Sequence, residues 1–264
     1  MDIKTPYGTL HVVQRAGDGD RVVFVHGLGA DAKCFEKCFA QPVLGGSDLI
    51  APDLLGFGES DKPADFDYHM ASFADLIETV LDALSIKDFH LVGHSMGGTI
   101  AVLVAQRRPA DVRTLIVAEP NLVARDATMS RRISARSEAE FRELFPSFVE
   151  KLMADARQSG HAMIAFADSL RRSTAIALHR SARSLIAVTS PPEFVDSFLS
   201  LPMPKHYLIS DETLPSLPPP PELVRAHVPI HVIENCGHGM MVDNPAGFCQ
   251  AIGKALALTS LATH

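Results

Sequence analysis

From residue 8 to residue 120 the chain alternates short, almost unbroken apolar runs with longer segments whose apolar residues recur every three or four positions. The short runs predict strands and the longer segments helices. Gly8–Arg15 reads as a strand. The Gly17-Asp18-Gly19-Asp20 turn that follows it looks like the loop of a hairpin. Residues 21–25, Arg-Val-Val-Phe-Val, are what a strand covered on both faces requires. A helix is predicted over 32–40, a strand over 48–51, a helix over 70–84, a strand over 89–92, a helix over 99–106 and a strand over 114–118.

Residues 121–200 break this rhythm, with almost no strand signal and amphipathic helices predicted over 137–157, 161–170, 173–188 and 192–198. Pro146 should kink or divide the first of these, because a proline inside a helix removes a hydrogen bond and clashes with the preceding turn. Strand and helix then resume: a strand over 205–209, a short helix over 221–227, a last strand over 230–233 and a closing helix over 244–256. The pattern predicts an α/β core from residues 1–120 and 201–264, with parallel strands and an inserted helical cap at 121–200. The inserted stretch carries 11 Lys and Arg against 9 Asp and Glu, whereas the rest of the chain has 13 against 22. A weakly basic layer therefore faces an acidic body, although charged helix faces are commonly just solvated.

Composition narrows the function classes. A length of 264 residues supports a sizeable buried core, and a net charge of −7 argues against a nucleic-acid partner and favours solubility; a small-molecule substrate is the expected partner. Cys34, Cys38, Cys236 and Cys249 form no C-x-x-C pair, so neither a zinc knuckle nor a redox motif is expected. No two of the twelve histidines sit at H-x-x-x-H or H-x-H spacing on an obvious ligand face, and no metal or organic cofactor is expected. The start of the chain lacks a charged segment followed by an apolar run, and no run reaches membrane-spanning length. The expectation is a cytoplasmic protein, monomer or homodimer, with no membrane partner.

The chemistry concentrates at Gly93-His94-Ser95-Met96-Gly97-Gly98, between the strand at 89–92 and the helix at 99–106. G-x-S-x-G in a strand–turn–helix context is a nucleophile elbow: the serine sits on a strained turn, and small neighbours let strand and helix approach closely. The same turn puts the Met96 backbone N–H at a helix N-terminus, where it can face an oxyanion. His238, between Gly237 and Gly239 in the loop after the last strand, is the candidate base that activates Ser95.

With the residues in hand, the chain resembles the α/β-hydrolase superfamily. The resemblance rests on His26-Gly27, the Asp53…Gly56-Phe57-Gly58-Glu59-Ser60 loop, the elbow, and Cys236-Gly237-His238-Gly239 ahead of Asn244-Pro245. It implies a mostly parallel eight-stranded sheet flanked by helices, with a cap after the sixth strand. It also implies a Ser-acid-His triad and an oxyanion hole formed by the Met96 and Leu28 N–H groups, with Gly27 or Gly29 as the fallback for Leu28. His26 would order that loop, and His94 would point away from the substrate. Most relatives place the acid three residues beyond the end of the seventh strand, which here is Thr213. Some place it at the end of the sixth strand, where Glu119 stands, with Pro120 biasing it towards an extended backbone. Glu119 is the favoured acid, with Asp211 the alternative and Glu212 behind it. Glu59 reads as a structural charge.

The expected reaction is hydrolysis of a carboxylic ester or lactone through an acyl-enzyme. C–C bond hydrolysis or hydroxynitrile-lyase-type chemistry on the same triad is an alternative. A ligand receptor of this fold with little turnover is another, and a serine at the elbow argues against the dehalogenase branch. Phe141, Phe145, Phe148, Met153, Met163 and Phe166 could line the pocket from the cap, although such stripes also build cores. An apolar or aromatic substrate is the corresponding expectation.

Overall fold

The computed structural model describes residues 1–156 and 160–262, the side chains of the last four of these excepted. Its strands are β1 (Asp2–Thr5), β2 (Gly8–Arg15), β3 (Arg21–Val25), β4 (Asp48–Pro52), β5 (Phe89–His94), β6 (Val112–Ala118), β7 (Lys205–Ser210) and β8 (Ile230–Ile233). They form one eight-stranded sheet in the order β1-β2-β4-β3-β5-β6-β7-β8. β1 and β2 pair antiparallel, as do β2 and β4, and every pairing from β4 through β3 to β8 is parallel.

The helices are α1 (Glu36–Phe39), α2 (Met70–Ala83), α3 (Met96–Arg107), α4 (Thr128–Ser134), α5 (Glu138–Ala156), α6 (His161–Leu170), α7 (Ala175–Thr189), α8 (Glu193–Leu199), α9 (Pro221–Arg225), α10 (Met240–Asp243) and α11 (Pro245–Ala262). The apolar runs work as expected for strands covered on both sides. Val23 and Val25 point into a core that contains α2 and α3, whereas Val22 and Phe24 point into a second one with α10 and α11.

Two readings need correction. The Gly17–Asp20 turn does not close a hairpin, because β4 lies between β2 and β3. The loop instead packs on residues 45–47: Gly19 N–H donates to the Gly46 carbonyl at 2.8 Å. A Cβ on Gly17 would lie 2.4 Å from the Ser47 carbonyl oxygen. The hairpin is β1–β2, and four residues around a Pro-Tyr turn are too few to show a period. Pro146 does not divide its helix, since α5 runs through it from Glu138 to Ala156. Losing one backbone hydrogen bond in nineteen residues is offset by packing through Phe141, Phe145 and Phe148. Arg157, the predicted end of that helix, lies outside the described residues. Finally, α4 is a fifth helix of the insertion, N-terminal to the four whose positions the sequence predicts.

α4 to α8 all fall between β6 and β7, and no strand interrupts them among the described residues. Because β3, β5, β6, β7 and β8 are parallel, the chain leaves all five at one edge of the sheet. That edge gathers His26, Ser95, Glu119, Asp211 and the loop carrying His238. In open parallel sheets this carboxyl edge is where ligands bind.

Candidate active site

Ser95 sits between β5 and α3 at φ 54° and ψ −122°, a conformation costly for any residue but glycine. The glycines around it are required by distance. A Cβ on Gly93 would lie 2.4 Å from the Gly97 carbonyl oxygen, and one on Gly97 would lie 2.2 Å from that of Val25. On Gly98 it would meet the Pro120 ring at 2.6 Å. Helix, strand and turn thus meet backbone to backbone, and the Ser95 N–H is fixed on the Ala118 carbonyl at 2.9 Å.

Glu119 ends β6 and is almost fully buried. It adopts φ 41°, so it is not extended as its position before Pro120 suggested. The left-handed turn swings the side chain back over β7, where the Glu119 carboxylate accepts from the Ser210 N–H at 2.8 Å and from the Ser210 hydroxyl at 2.6 Å, both on Oε1. Its Oε2 accepts from the Thr213 hydroxyl at 3.2 Å and lies 2.5 Å from His238 Nδ1. Burial alone would raise the carboxyl pKa, but the donors from His238 and Ser210 outweigh it and hold the group at about 2. It is a carboxylate at neutral pH. Thr213, where most relatives of the superfamily would carry the acid, instead donates a hydrogen bond to Glu119.

Asp211 does not reach the ring. It accepts from the backbone N–H groups of Asn235 at 2.9 Å and Cys236 at 3.2 Å, securing the start of the loop that carries His238. Glu212 lies near Gly237. Glu59 pairs with Lys33 on the surface.

His94 has a role the sequence did not show. Its ring lies 4.6 Å from the His238 ring, centroid to centroid, and its Nε2–H donates to the His238 carbonyl at 2.9 Å. A carbonyl can only accept, so the proton is on Nε2, and the buried Nδ1 has no partner among the described residues. Burial, helped by the neighbouring His238, pushes the His94 pKa down to about 3, so it is neutral. A histidine before the elbow serine was the only sequence signal, and its long-range partner lies 144 positions away.

His26 behaves as its position suggested. Its Nδ1–H donates to the Gly27 carbonyl at 2.9 Å while Nε2 accepts from the Leu54 N–H at 3.0 Å, which fixes both tautomer and loop. The N–H groups of Leu28 and Met96 make no hydrogen bond among the described residues. The Ser95 hydroxyl likewise has no partner there, which is common in unliganded sites. Of the aromatic and Met candidates, Phe166 lies against Gly29 and Met163 is exposed. Phe141 is buried with Phe145, Phe148 and His179. It borders, with Phe148 and Leu152, a cavity of about 340 Å³. Met153 lines a separate, more open hollow with Val149 and Arg171.

A strained serine at a strand–helix turn, with a buried carboxylate paired to a histidine at the same sheet edge, defines a class, and the comparisons agree. Residues 20–201 match the family model described as the alpha/beta hydrolase fold, and the chain belongs to that family. An uncharacterized protein of Mycobacterium tuberculosis (strain ATCC 25618 / H37Rv) is 32% identical over 135 residues, 51% of this chain but only 39% of that protein. The match thus spans well under half of that relative's length. A 2-hydroxymuconate semialdehyde hydrolase of Pseudomonas sp. (strain CF600) is 29% identical over 262 residues, 92% of this chain and 88% of that one. Among solved structures, a carboxylesterase from the thaumarchaeon Nitrososphaera gargenis superposes with a TM-score of 0.79 at 16% identity, covering 99% of this chain and 100% of that one. At that identity the likeness is one of fold.

Proposed function

We propose that the protein is a serine hydrolase that cleaves a carboxylic ester or lactone of a small, apolar or aromatic substrate. The observation that carries this is the 2.5 Å contact between His238 Nδ1 and a Glu119 carboxylate that three further donors from Ser210 and Thr213 hold in place. With Nδ1 committed to Glu119, Nε2 is left to take the proton from the Ser95 hydroxyl. Ser95 attacks the carbonyl, the Met96 and Leu28 N–H groups hold the oxyanion, and His238 returns the proton to the leaving alcohol. Water then releases the acid from the acyl-enzyme by the same route. Residues 121–200 act as a cap that supplies one wall of the pocket and excludes water.

A fluorophosphonate probe should label the protein once, and Ser95→Ala should abolish labelling without loss of fold. Labelling that survives the substitution would refute the assignment. A second reading, C–C bond hydrolysis on the same residues, is favoured by the relative named as a semialdehyde hydrolase that aligns along nearly the whole chain. Rates on a p-nitrophenyl ester panel against 2-hydroxymuconate semialdehyde separate the two. Negligible turnover on both would favour a receptor.

A further inference from the structure

We infer that Arg172 and Ser169, at the end of α6, are positioning residues that set the oxyanion loop, so that the hole is complete only while the helical insertion is docked. This rests on the reading of the Leu28 N–H as an oxyanion donor. Among the described residues the backbone from Gly27 to Ala32 is hydrogen-bonded to the core at its two ends only, although the Leu28 side chain is buried in the core and the Ala30 N–H closes a turn on the Gly27 carbonyl at 3.1 Å. His26 holds the Gly27 carbonyl, and Asp53 Oδ1 accepts from the Ala32 N–H at 2.6 Å.

The stretch between those ties is held from the insertion. The Ser169 hydroxyl donates to the Gly29 carbonyl at 2.7 Å. The Arg172 guanidinium donates from Nε at 2.7 Å and from Nη2 at 2.6 Å to Oδ2 of Asp31. That carboxylate is only 2% exposed, and its other oxygen caps the turn after the loop by accepting from the Lys33 N–H. Gly29 adopts φ 75°, and a Cβ there would lie 2.7 Å from Leu170 and 3.1 Å from Phe166. The insertion therefore packs on bare loop backbone immediately after Leu28.

Three consequences follow from these contacts. Among the described residues Asp31 has no cation but Arg172 against it, so losing the Arg172 charge with the insertion in place would leave a buried carboxylate unpaired, at a cost of several kcal/mol. The Gly29 carbonyl would lose its donor. The Leu28 N–H belongs to the planar peptide whose carbonyl is held by His26 and the Ala30 N–H, so what undocking would loosen is the Gly27–Ala30 turn as a unit, which could pivot about that anchor and carry the N–H away from the oxyanion. Closure of the insertion and assembly of the hole are accordingly one event, and a substrate that holds the insertion down switches on its own catalysis.

The test uses the full chain with Arg172→Met, Arg172→Lys and Ser169→Ala, together with the neutral pair Asp31→Asn/Arg172→Gln, which strands no charge if the methionine variant fails to fold. The readouts are kcat and KM on a p-nitrophenyl ester, and the inhibition constant of a trifluoromethyl ketone, whose hemiketal oxyanion occupies the hole. A positioning role predicts that kcat falls about ten- to a hundredfold in Arg172→Met or in the neutral pair, because a misplacement near 1 Å has that effect. KM should stay within about threefold, and ketone affinity should weaken by the same factor as kcat, since both depend on transition-state contacts. Ser169→Ala should shift both in the same direction by less, and Arg172→Lys should recover part of the loss. Folded variants whose kcat and ketone affinity stay within about twofold of wild type would overturn the inference, as would a change confined to KM. Failure of the parent reading looks different: the wild type itself would not be labelled by a fluorophosphonate.

Discussion

Replacing Glu119 by glutamine should harm the enzyme more than removing the side chain altogether. Oε1 accepts from the backbone N–H of Ser210, a donor that cannot rotate or become an acceptor. In Glu119→Gln the amide oxygen must therefore take that place, which puts the NH2 group where Oε2 now faces His238 Nδ1. An N–H pointing at Nδ1 forces it to accept, so the ring proton moves to Nε2, the nitrogen that receives the proton of Ser95 in the proposed mechanism. The charge is lost as well. The gap between the ordinary carboxyl value of 4.5 and about 2 means that these surroundings favour the anion by about 3 kcal/mol, or about 10² in rate if the whole of it served the imidazolium. Tautomer and charge together should lower kcat by about 10³–10⁴. In Glu119→Ala nothing dictates the tautomer, water can enter beside Nδ1, and the loss should stay near the 10² set by charge alone. The assay is kcat/KM on a p-nitrophenyl ester at pH 7 to 8, at a temperature where both variants retain wild-type near-ultraviolet circular dichroism. An alanine variant slower than the glutamine variant, or a glutamine variant within tenfold of wild type, would refute the reasoning.

Glu119 should also shape stability against pH. Its folded value lies below its unfolded one, so the stabilisation is complete above about pH 4.5 and lost as pH falls towards 2; Tm measured from pH 6 down to pH 3 should drop less steeply in Glu119→Gln than in wild type. Ser95→Gly should abolish fluorophosphonate labelling and raise stability by about 1 kcal/mol in urea unfolding, because only glycine adopts φ 54°, ψ −122° without strain. Gly97→Ala should be among the most damaging substitutions in the chain, with a Cβ forced to 2.2 Å from the Val25 carbonyl, whereas Gly46→Ala meets nothing within 4 Å and should leave Tm unchanged. Asp211→Asn keeps an acceptor for only one of the Asn235 and Cys236 N–H groups and should lower kcat slightly, while Asp211→Ala frees the His238 loop altogether and should lower it more.

What was legible in the sequence was whatever repeats locally. The strands at 21–25, 89–92 and 230–233 and the helix at 161–170 follow from apolar periodicity, and the elbow follows from three glycines around a serine. Glu119 could be placed at a strand end, but not its left-handed backbone, because the pull on its side chain comes from Ser210, 91 residues away. The contacts of His94 with His238 and of Arg172 with Asp31 have separations of 144 and 141 residues and leave no local trace. The false hairpin has the same cause: a Gly-Asp-Gly turn specifies a reversal, whereas the partner of β2 is chosen by β4, which comes 33 residues after β2 ends.

The two halves of the proposed machinery are secured very differently. Ser95 leaves the centre of the sheet, with strands on both sides of β5. His238 hangs from β8, four residues at the outer margin, paired on one side only and with Val232 48% exposed. Margins fray before centres do. Warming should therefore disarm the base while the nucleophile stays cocked and the globule intact, so that heat inactivation runs ahead of melting and reverses on cooling. The working ceiling of the proposed activity would be set by the last short strand, held by the Asp211 staple and the Glu119–His238 contact, rather than by the bulk of the core.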